Sequence, residues 1–295
     1  MRVFVTGATG FVGSAVVKEL LSTGHQVLGL TRSEAGAEAL FAAGAEVHRG
    51  NIDDLESLRV GATGVDGVIH TAFNHNFSTY LANCAADLEI IKALGAPLAG
   101  SGRPLIVTAG TGFSADGVRV PDYAAHPRLT SEGAAAAVAG TGVNVSVMRL
   151  PPSVHGEGDH GFIPMIIRSA REKGISAYLG DGQNRWPSVH RLDAARLFRL
   201  ALEKAEPEAW YHGVADEGVA FKDIAGVIGR QLGVPVVSLT PDEAAAHFGF
   251  LAGFAGMDLP SSSAATRASL GWQPVESDLL ADLGEGHYFT SRPSH

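Results

Sequence analysis

Three glycines, Gly7, Gly10 and Gly13, follow the apolar run Val3, Phe4 and Val5 and constrain this chain more than any other feature. The run is β-branched and aromatic, which suits a buried parallel strand. After the glycines, Ala15, Val16, Leu20 and Leu21 recur at helical spacing. Strand, glycine loop and helix, in that order, form a phosphate-binding context. Residues without a Cβ let the backbone turn tightly and approach a pyrophosphate. The helix start then offers unpaired N–H groups and a partial positive charge. An ordinary strand-to-helix turn rich in glycine is the competing account.

The alternation continues downstream. Short apolar runs at residues 26–30, 45–48, 67–72, 104–108 and 143–150 predict further strands. Helical patterns fit residues 35–43, 80–94 and 131–139, and Asp53 or Asp54 can cap a short helix through Leu58. In the helix over 80–94, Leu81, Leu88, Ile91 and Leu94 form the expected apolar stripe. Strands alternating with helices imply right-handed crossovers and an α/β fold, a Rossmann-type doubly wound parallel sheet. The texture changes at Pro151-Pro152. Helices are expected over 162–172, 189–204, 221–232, 242–250 and 277–284. We therefore expect a dinucleotide-binding domain from residues 1–150 plus 189–204. Residues 151–188 plus 205–295 would form a smaller, discontinuous C-terminal substrate domain.

A chain of 295 residues can bury a sizeable core, and 45% hydrophobic with 18% charged residues describes an ordinary globular protein. A formal net charge of −9 supplies no basic field, so neither nucleic acid nor an acidic membrane surface is an expected partner. No apolar run approaches the ~20 residues of a membrane span, and no leader pattern precedes the first strand, so a cytoplasmic location is expected. The single cysteine, Cys84, excludes an internal disulfide and a cysteine-rich metal site, and reads as packing.

Cofactor choice turns on the end of the second strand. A carboxylate there would hold the ribose hydroxyls of NAD. The residues are instead Thr31-Arg32-Ser33, and a guanidinium suits a 2′-phosphate, so NADP is the expected cofactor. The alternative is that Arg32 is a solvated surface charge.

The spacing Thr6-Gly7-x-x-Gly10-x-x-Gly13 resembles that of the short-chain dehydrogenase/reductase superfamily. More narrowly it resembles the extended branch of nucleotide-sugar epimerases, dehydratases and hydroxysteroid dehydrogenases. The resemblance implies that Gly7, Thr9, Gly10, Phe11, Val12 and Gly13 hold the cofactor. It also implies that Ile52 and Asp53 flank the adenine, that Thr71-Ala72-Phe73 line the riboses, and that Pro151 and Val154 pass the nicotinamide. A homodimer is a candidate assembly.

The superfamily's catalytic pair is Tyr-x-x-x-Lys. The residues four places after Tyr80, Tyr123, Tyr178, Tyr211 and Tyr288 are Cys84, Pro127, Gly182, Ala215 and Arg292, so no such pair exists here. Arg128 and Glu132 occupy the corresponding places by resemblance. Arg128 could polarise a substrate without giving up a proton, and Glu132 could accept from ribose hydroxyls; a surface ion pair is the alternative. Thr108 and Thr111 keep hydroxyls where relatives hold the substrate oxygen. The segment Arg149 to Gly156 resembles the family's Arg-Pro-x-x-Val-Tyr-Gly, with His155 in the aromatic place and Asp159 and His160 close behind. Thr108, Arg128, His155 and His160 are the candidate catalytic residues, with His155 the first choice for the acid; a histidine that only packs is the alternative. A metal site from His155, Asp159 and His160 is not expected, because their spacing is not His-Glu-x-x-His and no fourth ligand is evident. His190 and Asp193 read as structural, and Asn184, Arg185 and Trp186 as nearer the substrate.

These readings converge on NADPH-dependent hydride transfer to a carbonyl or imine carbon of a small molecule. An iminium carbon suits a site without the tyrosine, because it gives a neutral amine and needs no acid at that step. Nucleotide-sugar epimerisation or dehydration is a second possibility, and non-catalytic NADP sensing a third.

Overall fold

The computed structural model describes residues 1–110 and 130–290. β1 (Arg2–Thr6) leads into α1 (Phe11–Ser22), and β2 (Gln26–Thr31), α2 (Glu34–Ala43) and β3 (Glu46–Arg49) build outward on one side. After α3 (Leu55–Ala62) the chain crosses back. β4 (Gly67–His70), α4 (Tyr80–Gly95), β5 (Pro104–Gly110), α5 (Thr130–Ala139) and β6 (Asn144–Leu150) then build the other side. β7 (Ser153–His155), α6 (Phe162–Lys173), β8 (Ser176–Leu179) and β9 (Arg185–His190) depart from the sheet. α7 (Arg191–Lys204) returns to it and delivers β10 (Trp210–His212) to the edge. The chain closes with β11 (Asp216–Ala220), α8 (Phe221–Leu232), β12 (Val236–Leu239), α9 (Pro241–Phe248), α10 (Ala252–Ala255), α11 (Ala264–Leu270) and α12 (Leu279–Gly284).

The main sheet has seven strands, ordered β10-β6-β5-β4-β1-β2-β3, and every pairing in it is parallel. Strand order reverses between β1 and β4, which is where an open α/β sheet leaves a crevice beyond its carboxyl ends. Period-two alternation splits the core. Val3 and Val5 pack with Val16, Leu20, Phe198 and Leu202 on the face of α1 and α7. Phe4 points the other way, into Leu58, Ile91, Leu94 and Leu105. A third cluster, with Trp186, Phe221, Ile163 and Ile224 at its centre, holds the smaller region together. No helix among the described residues is long and apolar enough to cross a membrane.

Three expectations are corrected. Residues 185–190 are a strand, because β9 is held between β7 and β11, so the helix expected over 189–204 begins at Arg191. Residues 210–212, expected in the substrate domain, pair with β6 in the main sheet. Leu81 is 70% exposed; the buried face of α4 is instead Cys84, Asp87, Ile90, Ile91 and Leu94.

The C-terminal segment also reaches the main core. Trp272 is fully buried there, its indole donating to the carbonyl of Asp193 at 3.0 Å. The Asp193 carboxylate accepts from the backbone N–H groups of Val275 (2.9 Å) and Glu276 (3.0 Å). Trp272→Ala should cost about 3–5 kcal/mol of folding free energy, read as an earlier urea midpoint with an unchanged far-UV spectrum. A loss below about 1 kcal/mol would show that the segment only leans on the sheet.

Candidate functional site

The crevice is built around the seam between β1 and β4. The Thr6 carbonyl accepts from the Thr71 hydroxyl (2.7 Å) and the Thr71 N–H (3.3 Å), and the Thr6 hydroxyl lies 2.6 Å from His70 Nδ1. The three glycines are glycine for different reasons. A Cβ on Gly7, whose φ is +68°, would lie 2.7 Å from the Ala72 nitrogen across the seam. A Cβ on Gly13 would lie 2.0 Å from the Gly7 carbonyl, so α1 could not dock. At Gly10, φ is −79° and a Cβ would meet only the Gly7 carbonyl at 3.2 Å, a contact eased by a few tenths of an ångström. Gly10 is exposed at the start of α1, with no side-chain cap and no acidic residue in the first turn. The protein's own packing gives little reason for a glycine there; an anion laid against the helix start does. The residues present fit a dinucleotide pyrophosphate.

One edge of this cradle is aromatic and basic. His160 meets the ring of Phe11 edge-on at 5.8 Å, and the Arg191 guanidinium lies over the same ring at 5.0 Å. Arg191 also donates to the Glu157 carbonyl at 2.9 Å, which ties α7 to the 156–161 loop. Asp159 stands in that loop. Burial pushes its carboxyl up to about 6, against the opposing hydrogen bonds from the Gly161 N–H and the Tyr288 hydroxyl. Thr9 is exposed, whereas Val12 and Val154 half-bury against the main core and Pro151 is buried at the end of β6.

At the end of β2, Arg32 is exposed and makes no hydrogen bond among the described residues. Ser33 caps α2 through Gly36, and Arg49 donates to the Ser33 carbonyl at 2.9 Å. Ile52 is half-buried, while Asp53 is exposed and accepts from the Asn51 amide at 3.1 Å. Thr71, Ala72 and Phe73 are half-buried at the end of β4, with Phe73 packed edge-on against His75 and Tyr80.

Other expected site residues are committed elsewhere. Glu132 is fully buried, and both its oxygens accept from Arg149, at 2.8 and 2.9 Å, so it is not a ribose ligand. Thr108 donates its hydroxyl proton to the His70 carbonyl at 2.7 Å. His155 is fully buried and its Nδ1 faces Asp282 at 2.8 Å. A group sealed in this way cannot reach a substrate, so the first choice of acid is corrected. Arg128 and Thr111 lie outside the described residues.

Arg149 reaches a third buried group, His212 Nε2, at 3.2 Å. Arginine has no acceptor, so Nε2 must be bare and Nδ1 carries the proton toward the Ser261 hydroxyl. Burial, then the Arg149 charge, push the His212 imidazole down to about 4.

The sequence reading misses Arg191 and Tyr288. Arg191 was hidden in a segment read as structural, and Tyr288 lies too far along the chain for any local pattern to place it.

The model of the NAD dependent epimerase/dehydratase family matches residues 3–96 and 115–212, ending where β10 ends. An uncharacterized protein of Schizosaccharomyces pombe is 48% identical over 98% of this chain and all of its own length. A 2-alkyl-3-oxoalkanoate reductase of Stenotrophomonas maltophilia is 28% identical over 80% of this chain and 77% of its own. The crystal structure of a dTDP-glucose 4,6-dehydratase of Streptomyces venezuelae, solved with NAD bound, superposes with a TM-score of 0.76 at 20% identity. That likeness covers 97% of this chain and 96% of the other, and shows the shared fold.

Gly10→Val should fold as the parent does and lose dinucleotide binding, followed by quenching of protein fluorescence on titration; undiminished binding would reduce the loop to a turn. His212 supplies a pH test. Its folded value lies below the ordinary 6.5, so its contribution is intact above 6.5 and is lost as pH falls toward about 4. The loss should reach about 2–3 kcal/mol by pH 4.5. His212→Gln, whose amide oxygen can still accept from Arg149, should show a flatter decline in urea unfolding between pH 7 and 4.5.

Proposed function

The chain belongs to the NAD-dependent epimerase/dehydratase family, and on that premise we propose that it is an NADPH-dependent reductase of a carbonyl or imine carbon in a small organic substrate. The observation that carries the reading is the open helix start at Gly10 together with the exposed Arg32 at the end of β2. The first suits a pyrophosphate and the second a 2′-phosphate. When bound, the dinucleotide supplies a hydride.

The protein's own groups would do the rest. Gly10, Phe11 and the N–H groups of the first turn of α1 would hold the diphosphate, and Arg191 would add positive charge beside Phe11. A carbonyl oxygen that gains negative charge needs a proton or strong hydrogen bonds. We assign delivery of the proton to His160, an imidazole exposed beside Phe11. An imine carbon reduced to an amine needs no acid at that step, so it suits a chain without Tyr-x-x-x-Lys. The similarity to the 2-alkyl-3-oxoalkanoate reductase supports reduction. Epimerisation of a nucleotide sugar is the weaker reading, because that chemistry leans on the missing tyrosine as base.

NADPH should bind more tightly than NADH, and Arg32→Ala should erase on the order of tenfold or more of the difference, the share of one charge-assisted hydrogen bond. Equal affinity for both cofactors in the parent would refute the preference. A panel of ketones, aldehydes and cyclic imines, followed by loss of NADPH absorbance, tests the reaction itself; failure across the panel would shift the reading to a cofactor-sensing protein.

A further inference from the structure

The end of α12 runs Asp282-Leu283-Gly284-Glu285-Gly286-His287. One ligand atom from each of Asp282, Glu285 and His287 lies within 4.8 Å of the others. Asp282 is buried, and its two oxygens are used differently. Oδ2 accepts from His155 Nδ1 at 2.8 Å, whereas Oδ1 makes no hydrogen bond among the described residues and faces His287 Nε2 at 3.7 Å. That separation is too long for a hydrogen bond. It is close to the ~3.3 Å between two ligands on a four-coordinate ion with bonds of ~2.0–2.1 Å.

The nitrogen across the gap has no other use. His287 Nε2 is shielded from solvent and has no hydrogen-bond partner. The shielded nitrogen, without a hydrogen bond and facing one carboxylate with a second beside it, is a donor set that either a proton on the imidazole or a bound cation can bridge. Glu285 is exposed, so the cluster opens to solvent and leaves room for a water ligand. His155 fixes the far oxygen of Asp282, the outer support that metal-binding carboxylates commonly have.

We propose that Asp282, Glu285 and His287 form a site for a divalent transition-metal ion, and Zn²⁺ suits this mixed nitrogen and oxygen donor set. The site stands apart from the dinucleotide crevice but is joined to it. The His287 ring packs against Tyr288 at 4.3 Å. The Tyr288 hydroxyl donates to Asp159 and accepts from the Gly156 N–H, both at 3.1 Å. Asp159 adjoins His160, the residue against Phe11. The ion would pin the C-terminal segment onto the loop that edges the cradle.

The test is calorimetric titration of ZnCl₂ into the full chain after removal of adventitious metal by chelator and exhaustive dialysis, with Co²⁺ absorbance as a second readout. The expected result is saturable binding at one site per chain, weakened at least tenfold in both His287→Ala and Glu285→Gln and unchanged in His25→Ala. Visible Co²⁺ bands should appear in the parent and disappear in His287→Ala. Glu285→Gln alters only an exposed side chain, so it carries the test if His287→Ala misfolds, as judged by circular dichroism. No saturable binding up to about 100 μM Zn²⁺, or binding that survives both variants, would overturn the proposal.

Discussion

Thr6 is the post on which the crevice stands. It is buried at the end of β1, and both its oxygens are engaged by the end of β4: the carbonyl by Thr71, the hydroxyl by His70 and, at 3.4 Å, by the Ala72 N–H. This closeness forces the next residue to be Gly7, and Gly7 in turn forces Gly13, because α1 can dock on that carbonyl only without a Cβ between them. The orientation of the helix start therefore follows from one tight seam between two neighbouring parallel strands.

The seam extends inward as a buried polar chain. His70 Nε2 faces the Asp87 carboxylate at 3.0 Å, and the Ser131 hydroxyl donates to the other oxygen of Asp87. Next to Ser131, Glu132 is locked to Arg149. Helix α5 is thus fastened twice, to α4 through Ser131 and to β6 through Glu132. Removing one member of either set would leave a buried charge or acceptor without its partner, which costs far more than the intact pair contributes. Ser131 and Glu132, at the start of α5, thus serve the architecture.

Local signals made the first half of the chain legible. β-branched runs and glycine spacing located β2 to β6, α2, α4 and α5 to within a residue or two, while α3, capped by Asp54, runs four residues past the expected end at Leu58. Tertiary pairing hid other parts. Asn184-Arg185-Trp186-Pro187-Ser188 has no alternation of apolar residues, yet β9 forms because β7 and β11 supply its partners. Periodicity placed Leu81 in the core and overlooked Asp87, an acid that can be buried only because His70 and Ser131 satisfy it. The site was legible where its residues are consecutive, as at Gly7 to Gly13, and illegible where they meet across the chain. His155 and Asp282 are 127 residues apart, and nothing near either one announces the other.

The late arrival of β10 has a consequence for synthesis. When β6 has emerged from the ribosome, its outer edge is unpaired, and it stays so until β7, α6, β8, β9 and α7 have all been made. During that interval Val145 and Val147 lie on a strand with open backbone groups, a template for pairing with another nascent chain. Trp272, which completes the core on the other face of the sheet, follows later still. Truncated or stalled products ending before residue 212 would accordingly be the aggregation-prone species, and chaperone dependence would fall on that window of elongation.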